Sequence, residues 1–309
     1  LGQCYYYGNG VEQNYEEAFK YFKLSAEKGH ALGQCLLGQC YYFGNGVEQN
    51  YEEAFKCFKL SADNGNYDGQ SYLSGCYYYG NGVEQNYEEA FKYAKLSAEK
   101  ECDIGQCVLG LCYYYGNGIE KNYEEAFKYF KLSADQGNNL GQRMVGFFCY
   151  YSGQGVKANN EEAFRYMKLS ADQGDSSSQS WVGSNYYHGF IVKQNFKEAF
   201  KYLKLSADQG IDLAQYNLSK MYYNGDGIAQ NYEEAFKYMK LSADQGNADG
   251  QYEVGKMYLD GKGVDKNQEE GIKYIKLSAK QGNLTAKGFL LSSNITKGFL
   301  NVIGNIFKK

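Results

Sequence analysis

The residues that could do chemistry in this chain are nine cysteines, two histidines and a Glu-Glu pair that keeps returning. Cysteine with histidine is the donor set of a zinc site or an activated nucleophile. Two cysteines can close a disulfide, and neighbouring carboxylates can divide acid and base work. Spacing argues against each of these. His30, Cys35 and Cys40 are too few and too regular to hold zinc, and His30 and His188 leave no nucleophile–base pair to draw. Ser25-Ala26-Glu27-Lys28 and Ser97-Ala98-Glu99-Lys100 have the Ser-x-x-Lys form of a serine acyl-transfer site, but the accompanying Ser-Asp-Asn and Lys-Thr-Gly are missing. No catalytic residue, metal ligand or cofactor is expected.

The elements that carry these residues explain the regularity. Glu16-Glu17-Ala18-Phe19 recurs at Glu52, Glu88, Glu124, Glu161, as Lys197-Glu198-Ala199-Phe200, at Glu233 and weakly at Glu269, in steps of 36, 36, 36, 37, 36, 36 and 36. The chain is therefore a repeat array, which grows by addition and needs no single large core. The copies run about 1–30, 31–66, 67–102, 103–138, 139–175, 176–211, 212–247 and 248–283, with residues 284–309 expected as C-terminal capping helices.

In the second copy the spacing of Ala31, Leu37, Gly38 and Tyr41 predicts a helix A over Ala31 to Phe43. Gly44 suits its left-handed end, Asn45-Gly46 a turn, and Val47 a plug between two helices. Asn50 is a helix N-cap with Glu53 completing a capping-box pattern, and Lys56 stands four residues from Glu52. Ala54, Phe55, Phe58, Leu60 and Ala62 then provide the apolar surface of helix B, which ends at Gly65. Gly33 and Gly38 each cost roughly 0.5–1 kcal/mol inside a helix, so a neighbouring helix must pack closely there. The absence of proline among 309 residues fits an almost wholly helical chain. The paired glutamates are thus helix N-termini, and the Gly-Asn-Gly turns lack the strand that a nucleotide-binding loop follows.

The pattern Leu37-Gly38-x-x-Tyr41, Gly44-x-Gly46-Val47, Ala54-x-x-x-Phe58 and Ala62-x-x-Gly65 resembles the Sel-1-like repeat, a relative of the tetratricopeptide repeat with a longer inter-helix loop. The resemblance implies an all-α, right-handed α/α superhelical solenoid of helix-turn-helix repeats. It also implies a non-catalytic scaffold or adaptor that binds a partner peptide or protein in a concave groove. Relatives of this kind include adaptors of endoplasmic-reticulum-associated degradation, so a luminal adaptor is the alternative. A penicillin-binding or β-lactamase activity of the cysteine-rich Hcp type stands behind it. That branch pairs a cysteine late in helix B with one early in the next helix A, and Ala26 and Gln34 hold those positions here.

The resemblance also implies that helix A lines the groove, with Leu32, Cys35, Gln39, Tyr42 and Phe43 pointing inward. Along the array the Tyr42 position reads Tyr6, Tyr42, Tyr78, Tyr114, Tyr187, Tyr223 and Leu259. Its neighbour reads Tyr7, Phe43, Tyr79, Tyr115, His188, Asn224 and Asp260, and the Gln39 position includes Gly75, Leu111 and Lys220. The implied face is aromatic in the first four copies and polar in the last three. Tyrosine gives area with few rotors, which suits recognition. The first tyrosine of each pair serves equally well as packing between helices, and both readings stand. The candidate partner-binding residues are Tyr6, Gln39, Tyr42, Phe43, Tyr78, Tyr79, Tyr114, Tyr115, Tyr187 and Tyr223.

Cys4, Cys40, Cys76 and Cys112 share one phase of the repeat, and Cys35 and Cys107 another. Equivalent positions on stacked helices lie roughly 8–10 Å apart, beyond disulfide reach. The cysteines read as packing residues in a reducing compartment, which gives a cytoplasmic expectation. Asn217, Asn283 and Asn294 begin glycosylation sequons that leave the secretory route open. The net charge of −4 is spread without a basic stripe, which excludes nucleic acid, and no apolar run is long enough to span a membrane. Leu1 lies inside a repeat, so a fragment of a longer chain is expected. Four departures stand out: an added residue within Phe147 to Ser152, the loop Gly189-Phe190-Ile191-Val192, Glu101 in the place of Gly65, and an amphipathic tail from Ile295 to Phe307.

Overall fold

The computed structural model of the chain describes residues 1–151 and 157–292. Its helices A are α1 (Gly2–Tyr7), α3 (Ala31–Phe43), α5 (Tyr67–Tyr79), α7 (Asp103–Tyr115), α9 (Asn139–Tyr150), α11 (Ser176–His188), α13 (Asp212–Asn224) and α15 (Ala248–Asp260). Its helices B are α2 (Tyr15–Glu27), α4 (Tyr51–Asp63), α6 (Tyr87–Ala98), α8 (Tyr123–Asp135), α10 (Asn160–Asp172), α12 (Phe196–Asp208), α14 (Tyr232–Asp244) and α16 (Gln268–Lys280). Residues 284–292 are helical as well, and no strand occurs among the described residues. The tail from 293 onward, which includes Asn294, lies outside them. The chain forms two compact units, Leu1–Tyr166 and Met167–Lys309. Within each, consecutive helical hairpins stack as a solenoid does.

Local rules set the boundaries. Asn50 takes extended backbone angles and its side chain accepts a hydrogen bond from the Glu53 amide at 3.1 Å, capping α4. The reciprocal half of the capping box is replaced by a different contact. The Glu53 carboxylate receives the Lys56 ammonium at 2.6 Å, so the ion pair spans three residues and Glu52 is passed over. The same three-residue pairing recurs as Lys20–Glu17, Lys92–Glu89 and Lys128–Glu125. Gly44 closes α3 at φ 75°. The second loop glycine answers to the previous copy: a Cβ on Gly46 would run into the Tyr15 carbonyl, and one on Gly82 into that of Tyr51. α9 breaks the rule. It ends on Tyr151 in extended conformation, and the five residues after it lie outside those described.

Each helix B is clamped between two helices A. In the second copy Ser61, fully buried, donates to the Ala31 carbonyl at 2.7 Å, and Ser133, Ser206 and Ser278 repeat the bond at the same 30-residue separation. Its other side meets the following helix A at a glycine. A Cβ on Gly69 would sit 2.7 Å from the Ser61 Cβ, and one on Gly38 would sit 2.7 Å from the Phe58 ring. The core of the first unit runs through Phe22, Phe58, Leu73, Leu109, Phe130 and Phe148, and that of the second through Leu203, Leu218, Met221 and Ile275. Chain polarity adds a second clip on the B side. Lys168 and Asp172 both bind the hydroxyl of Tyr202 in the next helix B, and Tyr274 donates to Asp244 at 2.9 Å beside Lys240. Tyr166 with Asp135 and Lys131 repeats the arrangement in the first unit.

Candidate functional site

Helices A of successive copies pack directly on one another, α3 on α5, α5 on α7 and α11 on α13. Helices B reach their successors through long side chains such as the tyrosine clips. The candidate residues fall on this helix-A side of the hairpins.

The first tyrosine of each pair is tied into the stack. Asn45 in one loop donates to the Tyr6 hydroxyl of the preceding copy at 2.8 Å, Asn81 donates to Tyr42 at 2.8 Å, and Asn117 donates to Tyr78 at 3.2 Å. In the second unit Tyr187 donates to Asp226 at 2.8 Å, and Lys262 donates to the Tyr223 hydroxyl at 2.7 Å. Each ring also meets the first aromatic residue of its own helix B, edge-on in all but Tyr187, which is tilted against Phe196: Tyr42 lies 5.1 Å from Tyr51 and Tyr114 lies 5.5 Å from Tyr123. Tyr78 and Tyr187 are buried and Tyr6, Tyr42, Tyr114 and Tyr223 half-buried. These tyrosines hold neighbouring copies together, and the two buried ones present no open surface. Cys35, expected to point inward, is fully buried, whereas Leu32 is exposed. Gln39 is half-buried and turns its amide toward the Cys35 sulfur at 3.7 Å.

The second aromatic of each pair stands open. Phe43, Tyr79 and Tyr115 are 52%, 50% and 56% exposed and form a row in the first unit. Tyr79 has half its surface in solvent, yet enough protein crowds it that burial pushes its phenol up to about 12. Those two facts together describe a side chain standing in a hollow. The hollow has a volume of about 250 Å³ and is walled by Tyr42, Tyr72 and Tyr79, with Ile104, Cys107, Val108 and Leu140 completing its apolar lining. Gly75 also lines it, and Asn138 and Asn139 stand at the start of α9 on its edge. Tyr72 is held by stacking on Phe58, with centroids 4.8 Å apart. Sequence reasoning placed Tyr42 and Tyr79 on the face, along with the Leu32 and Cys35 repeat positions that Ile104, Leu140 and Cys107 hold here, but missed Tyr72 and Val108. Both occupy the repeat position of Leu36, which was left off the face.

The corresponding face of the second unit is polar. Asn217 is buried and donates to Ser184 at 2.9 Å, so its sequon is folded into the helix stack. Lys220 lies over the Tyr216 ring at 5.4 Å, and Lys256 pairs with Glu253 at 3.1 Å. His188 is exposed, and partial burial with the nearby Lys220 charge holds its imidazole below the usual range. Phe190, in the altered loop, is 77% exposed and stacks on His188.

All nine cysteines are free thiols, and burial pushes those of Cys35, Cys40, Cys76, Cys107 and Cys112 up to about 12. A thiol so raised is a packing group at neutral pH. Among the described residues no three His, Cys, Asp or Glu side chains gather as metal ligands, and no helix is long and apolar enough to cross a membrane.

Hairpins stacked in phase, with an open aromatic row on helices A, define a helical-repeat protein. The family model of the Sel1 repeat matches eight times, at residues 1–30, 31–66, 68–102, 104–138, 139–175, 176–211, 212–247 and 248–283. The chain belongs to the Sel1 repeat family, whose members are generally protein–protein interaction scaffolds. Among solved structures it is similar to a protective antigen of uropathogenic Escherichia coli with an SLR fold, at 32% identity and a TM-score of 0.72 over 96% of this chain. This chain spans 63% of that antigen's length. It is also similar to a Sel1 repeat protein from Oxalobacter formigenes, at 27% identity and a TM-score of 0.60, covering 89% of this chain and 80% of that one. No curated protein matches the chain.

Proposed function

We propose that the chain is a non-catalytic scaffold that holds an extended segment of a partner protein along the helix-A face of its first unit. The observation that carries this is the open row of Phe43, Tyr79 and Tyr115 beside an apolar hollow. Large aromatic surface held in solvent by a rigid stack is a standing cost that contact with a partner removes. The inner side chains at the hollow are aromatic, aliphatic or amide, which favours protein over nucleic acid, whose binding needs cations in number. Free cysteines and the buried Asn217 support a reducing, cytoplasmic setting over a luminal one.

The test replaces Phe43, Tyr79 and Tyr115 with alanine together and compares affinity capture with the parent chain by mass spectrometry. Proteins retained by the parent should be lost by the variant while helical circular dichroism stays unchanged. Equal retention by a folded variant overturns the assignment of this face.

A further inference from the structure

We propose that the hollow around Gly75 is the specificity pocket of this face: it receives one phenylalanine-sized apolar side chain from an extended partner segment whose following residue is acidic and meets Arg143. The proposal rests on the reading of the helix-A face as a partner-binding surface and adds to it what the partner must carry.

Gly75 is the first observation. Glycine inside a helix is unfavourable relative to alanine, and close packing normally explains it. Gly33, Gly38, Gly69, Gly105 and Gly110 all follow that rule, each with a helix-B side chain where its Cβ would be. Gly75, in the middle of α5, has nothing within 4 Å of that position. The fold does not require a glycine there, and equivalent positions in other copies hold Gln39 and Leu111. A side chain at this place would enter the hollow. Its absence keeps the hollow open.

Size and lining define what enters. At about 250 Å³ the space falls below the roughly 300–1,000 Å³ of pockets that enclose whole small-molecule ligands, and suits a single side chain. Three tyrosine rings offer edges and faces to an aromatic guest, over a base of Ile104, Val108 and Leu140.

Charge sets the neighbour. Arg143 occupies in the fifth copy the position that Cys107 holds in the fourth. It stands on α9 one turn beyond Asn139 and Leu140, which line the hollow, and its positive charge is felt by Tyr79 and Cys107 of the same lining. Asp68 and Asp103 act on Tyr72. The site therefore has a positive and a negative flank, and a carboxylate following the apolar anchor is favoured on the Arg143 side.

The experiment titrates the full chain with three blocked tetrapeptides, acetyl-Gly-Phe-Asp-Gly-amide, acetyl-Gly-Phe-Lys-Gly-amide and acetyl-Gly-Ala-Asp-Gly-amide, observed by saturation-transfer NMR. The Phe-Asp probe should bind about tenfold more tightly than either other probe. Gly75→Leu should weaken it at least tenfold without lowering the thermal midpoint, because the new side chain fills the hollow. Arg143→Gln should erase the preference for Phe-Asp over Phe-Lys. No binding of the Phe-Asp probe to the parent chain, undiminished binding to a folded Gly75→Leu chain, or a preference for Phe-Lys overturns the proposal. Should Gly75→Leu leave intact a partner capture that the Phe43, Tyr79 and Tyr115 variant abolishes, the pocket fails and the scaffold reading stands.

Discussion

Replacing Gly75 and Gly38 by alanine, one at a time, should move stability in opposite directions. Both glycines are interior to thirteen-residue helices, so each substitution gains about 0.8–1 kcal/mol of helix propensity. At Gly75 the new methyl meets nothing within 4 Å, and the propensity gain should survive nearly whole. At Gly38 the methyl would stand 2.7 Å from two carbons of the Phe58 ring and 3.2 Å from the Cys57 Cβ. Phe58 is fully buried between α3, α4 and α5 and cannot swing aside. Overpacking of this kind costs about 1–3 kcal/mol, which cancels or exceeds the gain. The two variants should therefore differ by about 1–3 kcal/mol, with Gly75→Ala above the parent and Gly38→Ala at or below it. Urea unfolding followed by circular dichroism measures the midpoints. Repeat arrays need not unfold in one step, so midpoints are compared at the transition of the first unit. Gly75→Ala falling below the parent, or the two variants shifting alike, would refute the packing argument.

Glu101 sits at φ 61° where seven other copies place glycine, and a non-glycine residue there costs about 1–2 kcal/mol. Glu101→Gly should raise the first unit's unfolding midpoint, and an unchanged or lower midpoint would sink that account. The tyrosine clips should make the second unit sensitive to acid. Burial works against the charge on Asp172 and Asp244, yet donation from Lys168 and Tyr202, and from Lys240 and Tyr274, outweighs it and holds both carboxyls below the usual range. A carboxyl whose pKa falls on folding stabilises fully above its unfolded value of about 4, and that contribution is lost as pH drops through the lower folded value. Midpoints measured from pH 6 to pH 2 should show a shallower acid loss in the Asp172→Asn, Asp244→Asn chain. Parallel profiles would count against the clips.

Much of the fold was legible because the repeat states it eight times. Helix A at Ala31–Phe43, the Asn50 cap and the left-handed Gly44 all follow from local chemistry, and the structure has each where the pattern puts it. What escaped was the chemistry between copies. The Asn45–Tyr6 bond joins residues 39 apart and the Tyr274–Asp244 bond joins residues 30 apart. No local rule links such positions, and they become partners only once the stacking register is known. The Lys56 pairing went to Glu53 rather than Glu52 because side-chain direction on a helix, and not spacing alone, decides which neighbour is met. The site was legible in part. Paired aromatic residues marked the face, but which of each pair is tied down depends on where the next loop's asparagine lands. Gly75 looked like any other helical glycine until its surroundings showed empty space.

Every clip described above reaches one copy along and no further. A loop asparagine serves the tyrosine of the preceding copy, and a helix-B aspartate serves the tyrosine of the following one. Excision or duplication of the whole second or third copy therefore leaves each loop asparagine facing an equivalent tyrosine, whereas a cut at any other length strands both. A gene built this way can change the number of its modules by unequal exchange and still encode a protein whose seams close.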